Sequence, residues 1–331
     1  MPSCLIGDND MKRCLVTGGK GFIGSHLVNF LKRRGYWVRS VDIRDFSYLQ
    51  TKEDEFLRLD LREKGNAMEA VKGIDYVWTL AANMGGIGFI TEEHADIAYD
   101  NVMINCSMIK AAVEENVERF FYSSSACVYP VELQSNDKIV AFLREKDAYP
   151  ANPDSVYGWE KLYTEIMCKA FEKDYGLDVR IARFHNIYGP YGTYEGGREK
   201  APAALCRKVA MAKSNDRIEL WGNGKQIRSF MYIDDCCEAV HRLMNSRYKE
   251  PLNIGTDRAV TINELADIII KISGKKLTKK YDTSKPVGVK SRNADLSELK
   301  NVLQWQPKVS YEEGLEKTYH WISQMVAKTH G

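Results

Sequence analysis

No apolar run in this chain approaches membrane-spanning length, neither sign of charge predominates, and no cysteine pair has metal-ligand spacing. Each absence removes a class of function. Without a long apolar run, no membrane span is expected. With 47 Lys and Arg against 45 Asp and Glu, a net charge of +2 and a pI near 8.0, the chain lacks the basic surplus of a general nucleic-acid binder. The lysine pairs Lys275-Lys276 and Lys279-Lys280 read as solvated faces. The opening MPSCLIGDND has neither the basic nor the apolar region of a secretion signal, and Met11-Lys-Arg-Cys-Leu-Val looks like a second beginning, so residues 1–10 read as a loose leader. Eight cysteines (4, 14, 106, 127, 168, 206, 236 and 237) contain no Cys-x-x-Cys, and no histidine lies at ligand spacing from them. No metal is expected, and reduced thiols in a cytoplasm are the simplest account.

What is present is a globular chain of 331 residues, 44% hydrophobic, enough for one large or two smaller domains. Residues 12–17 (KRCLVT) read as a buried parallel strand. Gly18-x-x-Gly21-x-x-Gly24 follows, and from Phe22 the apolar spacing turns helical. In a strand–turn–helix, Gly18 permits the tight turn, Gly21 lets a pyrophosphate approach the helix N-terminus, and Gly24 allows close helix–strand packing. The next strand, residues 36–41, ends at Asp42, where a carboxylate accepts hydrogen bonds from an adenosine ribose and repels a 2′-phosphate. That favours NAD, with Arg44 leaving room for NADP. A third strand is expected at residues 57–61; its Asp60 is either an adenine contact or a turn acid.

Residues 74–80 form a fourth strand, followed by Met84-Gly85-Gly86-Ile87-Gly88, which reads as a flexible loop able to close over a substrate. Strands alternate with helices as far as residues 179–184, so the expected fold class is α/β with a doubly wound parallel sheet. Beyond Pro190 the texture becomes polar and glycine-rich. A hairpin-like loop is expected at residues 221–229, a return to the first domain at 228–256, helices near 262–273 and 310–326, and Arg292 in a loop between them. This divides the chain into residues 11–186 with the return segment 228–256, and a smaller α/β domain from the rest of 187–331.

The stretch 123–130 (SSSACVYP) carries the chemistry. Three hydroxyl residues end a strand, and Cys127 follows, either as a small buried hydrophobe or as a reactive thiol. Downstream, Tyr157 and Lys161 lie four apart, on one face of a helix. There the lysine charge is expected to lower the phenol's pKa toward neutral pH and make a proton-transfer pair.

Together the glycine motif, Asp42, the serine-rich strand end, Tyr157-x-x-x-Lys161, Asn186-Ile-Tyr-Gly-Pro and Trp221-Gly-Asn-Gly resemble the extended short-chain dehydrogenase/reductase superfamily of sugar-nucleotide enzymes, over about residues 12–325. Met84-Gly-Gly-Ile-Gly, Ser125-Ala-Cys127, Gly196-Gly-Arg-Glu-Lys200-Ala-Pro and Gln226-Ile-Arg228 are similar to its 3,5-epimerising branch. Relatives that act only at C4, or dehydrate, usually carry Ser or Thr at the place of Cys127. Lys290-Ser-Arg292 departs from that branch's usual Arg-Gly-Arg, and the segment after Tyr129 differs in length and composition. Both departures leave room for a related GDP-hexose.

The resemblance implies a Rossmann-like fold with tightly bound NAD on Gly18, Gly21, Phe22, Ile23, Gly24, Asp42, Asp60, Tyr157 and Lys161. It implies epimerisation of GDP-mannose at C3 and C5 through transient C4 oxidation. Tyr157, Lys161 and Ser125 would act at C4, and Cys127 and Lys200 would exchange the carbon-bound protons. Gly85, Ser125, Cys127, Asn186, Glu199, Lys200, Lys208, Gln226, Arg228 and Arg292 would hold the substrate. His185 reads as structural. A homodimer through a four-helix interface, built from helices near 97–117 and 155–173, is implied too. The alternatives are a sugar-nucleotide 4-epimerase, a 4,6-dehydratase, and a non-catalytic nucleotide sensor of the same fold.

Overall fold

The computed structural model describes residues 11–135 and 140–330. The leader assigned to residues 1–10, with Cys4, lies outside the described residues. The fold is α/β and Rossmann-like, with three sheets among the described residues. The largest comprises β1 (Arg13–Thr17), β2 (Trp37–Asp42), β3 (Glu55–Arg58), β4 (Tyr76–Thr79), β5 (Arg119–Ser125), β7 (Val179–Phe184) and β11 (Leu252–Ile254). Its order is β11-β7-β5-β4-β1-β2-β3, and every pairing is parallel. A smaller sheet contains β6 (Phe142–Leu143), β8 (Asn186–Tyr188), β10 (Ile227–Tyr232), β12 (Ala259–Thr261) and β14 (Ser291–Ala294); a third pairs β9 (Arg217–Trp221) with β13 (Thr278–Asp282).

Near-continuous apolar runs, whose successive side chains point to opposite faces, make the large sheet bury both faces. Cys14, Val16, Trp78 and Phe121 face one core, with Leu27, Val28 and Leu31 of α1 (Phe22–Arg33). Leu15, Val77, Phe120 and Tyr122 face the other. That second core is completed by α2 (Lys64–Val71), α4 (Ala95–Glu114) and α5 (Val156–Tyr175), through Ala70, Met108, Ala112 and Cys168. Between α2 and α4 lies the short α3 (Ile87–Glu92). The remaining helices are α6 (Ala201–Met211), α7 (Ile233–Asn245), α8 (Ile262–Ser273), α9 (Ser297–Leu303) and α10 (Tyr311–His330). Helix α7 packs on α1, and β11 extends the large sheet beside β7. No described helix is long and apolar enough to cross a membrane.

Four local expectations change. β3 starts two residues earlier, and Leu59–Leu61 leave the sheet because Asp60 anchors a turn: its carbonyl accepts from Glu63 N and its carboxylate from Arg62 N. Residues 84–88 are no open loop, since Gly86 caps α3 and its N–H donates to Arg198 O at 3.0 Å. Residues 221–229 are not a hairpin: β9 pairs with β13, and β10 with β8, β12 and β14. The turn between them, with positive φ at Gly222 and Gly224, hands the chain from one sheet to another. Arg292 sits on β14, not in a loop.

Candidate active site

The carboxyl ends of β1 and β4 meet where strand order reverses, the place where open parallel sheets bind ligands. Thr17 Oγ1 ties the two ends by accepting from Leu80 N and Ala81 N, each at 3.0 Å. Gly18 follows with φ +66°, and Gly24 passes so close that a Cβ there would lie 2.0 Å from Gly18 O. A Cβ at Gly21, the cap of α1, would meet only Gly18 O at 3.1 Å. The start of α1, beside Phe22 and Ile23, is therefore uncrowded on the Gly21 side and suits a diphosphate. Asp42, at the end of β2, accepts from Lys20 N and Arg44 N, each at 3.1 Å. This cradle and this carboxylate fit a dinucleotide. Asp60 stands apart, held by the Arg62 guanidinium, which keeps its carboxyl below the usual range.

β5 ends in three serines with three tasks. Ser123 Oγ donates to Thr79 O at 2.6 Å, and Ser124 Oγ donates to Glu165. Glu165 is paired in turn with Arg183 at 2.6 Å. Ser125 caps a 3-10 turn over Ala126–Val128, accepting from Cys127 N at 3.1 Å. Strand, serine cap and turn thus set the position of Cys127, which is half-buried. Helix α5 begins against this turn. Ser155 caps it, accepting from Gly158 N at 3.2 Å, and a Cβ on Gly158 would lie only 2.2 Å from Cys127 O.

Tyr157 and Lys161 are both buried, with Lys161 Nζ 5.6 Å from the Tyr157 ring centre. The expected lowering of the phenol is not what this arrangement produces. Burial pushes Tyr157 well above its ordinary range, Cys127 and Glu160 add to the rise, and a hydrogen bond with Ser125 opposes it. The countercharge is Glu160, whose Oε1 lies 3.7 Å from Lys161 Nζ and accepts from Asn101 Nδ2 at 2.9 Å.

One cavity of about 860 Å³ is lined by Gly85, Ser125, Cys127, Tyr157, Asn186, Glu199, Lys200, Lys208, Gln226, Arg228 and Arg292. Lys161 lies behind Tyr157 rather than in the wall, and the glycine cradle and Asp42 are also outside it. Burial pulls Lys200 down, with Arg292 assisting and Cys127 and Cys236 opposing. Burial and Arg292 pull Arg228 down to about 9. Lys208 donates to Glu219 O at 2.8 Å. Glu199 accepts from Gly197 N at 2.7 Å and Arg207 at 3.1 Å. Asn186 donates to Ser229 O at 3.1 Å. Gln226 donates to Trp221 O at 2.9 Å, and its Oε1 is buried with no partner among the described residues. His185 accompanies the wall, with Nε2 3.1 Å from Asn253 Oδ1, and burial lowers it to about 3.

Sequence reasoning missed Gln134, Asp154, Gly158 and Glu160. Only Gly158 carried a signal: glycine in a first helical turn costs propensity, so its presence points to a close approach.

Residues 14–255 match the NAD dependent epimerase/dehydratase family. The chain is 46% identical over 315 residues to a GDP-mannose 3,5-epimerase of Arabidopsis thaliana, covering 95% of this chain and 82% of that protein. It is 45% identical over 320 residues to GDP-mannose 3,5-epimerase 1 of Oryza sativa subsp. japonica, covering 96% and 83%. In fold it is similar to UDP-glucose 4-epimerase of Thermotoga maritima solved with UDP-glucose, with a TM-score of 0.85, 27% identity, and coverage of 95% and 99%.

Proposed function

We propose that this chain, which belongs to the NAD dependent epimerase/dehydratase family, inverts GDP-mannose at C3 and C5. The product is GDP-L-galactose, with GDP-L-gulose when C5 alone inverts. The observation that carries the reading is a thiol, an amine and a phenol on one wall, Cys127, Lys200 and Tyr157, in a chain that also builds a dinucleotide cradle.

Carbon-bound hydrogens at C3 and C5 leave as protons only when C4 is a ketone, since either carbanion then delocalises as an enolate. Bound NAD supplies the hydride chemistry that makes C4 a ketone and later restores the alcohol. Gly18, Gly21, Phe22, Ile23, Gly24 and Asp42 would hold it; Asp60 would do so only by sharing its carboxylate with Arg62. Tyr157 takes the C4 hydroxyl proton, Lys161 supplies the positive charge behind it, and Ser125 holds the C4 oxygen. Cys127 and Lys200 then remove and return protons on opposite faces of the sugar. Burial of Lys200 favours its neutral amine, the form that accepts a proton. Gly85, Asn186, Glu199, Lys208, Gln226, Arg228 and Arg292 complete the substrate wall.

In this reading residues 11–186 with 228–256 hold NAD, and the rest of 187–331 holds the sugar nucleotide. Exposed Tyr99, Trp159, Tyr163 and Ile166 on α4 and α5 support a homodimer through those four helices. Seven free thiols among the described residues support a cytoplasmic setting.

Incubation with GDP-mannose in D₂O, with no cofactor added, tests the reading by NMR. Deuterium at C5 and C3 of GDP-L-galactose is expected. Inversion at C4 without solvent deuterium at C3 or C5 identifies a 4-epimerase, water release a dehydratase, and no turnover a sensor.

A further inference from the structure

Arg292, expected to hold phosphate or sugar, donates from each of its three guanidinium nitrogens to protein. Nε donates to Gln134 Oε1, Nη1 to Cys127 Sγ at 3.1 Å, and Nη2 to Asp154 Oδ2 at 2.7 Å. These partners are themselves fixed. Gln134 is fully buried, and its Nε2 donates to the carbonyls of Tyr129 (3.0 Å) and Pro130 (3.1 Å), which leaves Oε1 to face the guanidinium. The other oxygen of Asp154 accepts from Ser155 Oγ at 3.1 Å, tying it to the start of α5. The backbone of Arg292 is held by β14, in register with Arg228 on β10, and β14 also pairs with β6.

We propose that Arg292, clamped by Gln134 and Asp154, is a positioning residue for Cys127: it fixes the sulfur and stabilises the charge left there when the thiol gives up its proton. The proposal rests on the reading of Cys127 as a proton-transfer group. When the S–H bond breaks, the proton goes to the enolate carbon, and the electron pair stays on sulfur, where Nη1–H already points. In the reverse sense the sulfur takes a carbon-bound proton, and the enolate keeps that pair. Tyr157, Lys200 and Arg228 also lie within electrostatic reach of the sulfur. Among the described residues, Arg292 is the group that donates a hydrogen bond to it.

The first arm of the test needs no sugar nucleotide. The purified full chain is treated with iodoacetamide near pH 7, and alkylation of the Cys127 peptide is followed by mass spectrometry. Loss of a charge-assisted hydrogen bond in Arg292→Met is expected to slow alkylation by about tenfold. Arg292→Lys is expected to recover part of the rate. Asp154→Asn keeps the side chain's shape while removing its charge from the ion pair with Nη2; it is expected to slow alkylation several-fold and to lower kcat more than it raises KM. Wild-type alkylation rates in Arg292→Met and Asp154→Asn overturn the proposal, as does a pure rise in KM, the mark of a phosphate ligand. A wrong substrate assignment would leave the alkylation results intact and fail only in the product assay.

Discussion

Gly158→Ala is a one-carbon perturbation aimed at the joint between the Cys127 turn and the start of α5. The added Cβ would stand 2.2 Å from Cys127 O and 2.8 Å from Pro153 Cβ, whereas real Cβ contacts essentially never fall below 3.0 Å. The nearest atom is backbone, so the helix start and the turn must separate by about 0.8 Å or more. Two energies oppose each other. Alanine gains up to about 1 kcal/mol of helix propensity, less in a first turn. Overpacking costs about 1–3 kcal/mol. The net is a modest destabilisation, read as a fall of a few degrees in melting temperature. Turnover is far more sensitive, because misplacing reacting groups by about 1 Å costs about 100-fold. Tyr157 rides on the helix and Cys127 on the turn, so their relative placement changes directly. Deuterium incorporation at C5 is therefore expected to fall about 100-fold while the protein remains folded. Gly65→Ala on α2 is the control: nothing lies within 4 Å of its Cβ, and it should gain slight stability at unchanged turnover. Near wild-type exchange in a folded Gly158→Ala variant would refute the argument that this contact sets the geometry.

Cys127→Ala should still reduce the bound cofactor when given GDP-mannose but incorporate no deuterium at C3 or C5, and Tyr157→Phe should abolish both; spectrophotometry and NMR separate them. GDP should stabilise the fold by neutralising the cluster around Arg228, by about 2.7 kcal/mol at 100 times its Kd, and Arg228→Met should shrink that gain in thermal melts. Lys200 is held below the 10.5 of a free ammonium, so the unfolded chain binds its proton more tightly. Its contribution to stability is fully present above 10.5 and is lost as pH falls through the folded value. Lys200→Met should accordingly be more stable than wild type near pH 7, with the gap closing toward about pH 10.5; urea denaturation at the two values checks the sign.

The parts legible in the sequence were those set by neighbouring residues. Alternation in Cys14-Leu15-Val16 sends side chains to two cores, and the three glycines after Thr17 shape a turn within one strand and one helix. Tyr157 and Lys161 share a helix, so their spacing carried their proximity. Legibility failed where pairing is non-local. β9 finds its partner β13 some sixty residues later, so a glycine turn beside it resembled a hairpin. Arg292 meets Gln134 across 158 positions and Asp154 across 138, and no local pattern encodes either contact. Lys161 shows the same limit in electrostatics. Its charge was legible, but the buried carboxylate that competes for it is oriented by Asn101 on another helix. Residue type and local spacing thus name the reacting groups. The ionisation of those groups depends on partners that only tertiary packing brings within hydrogen-bond reach.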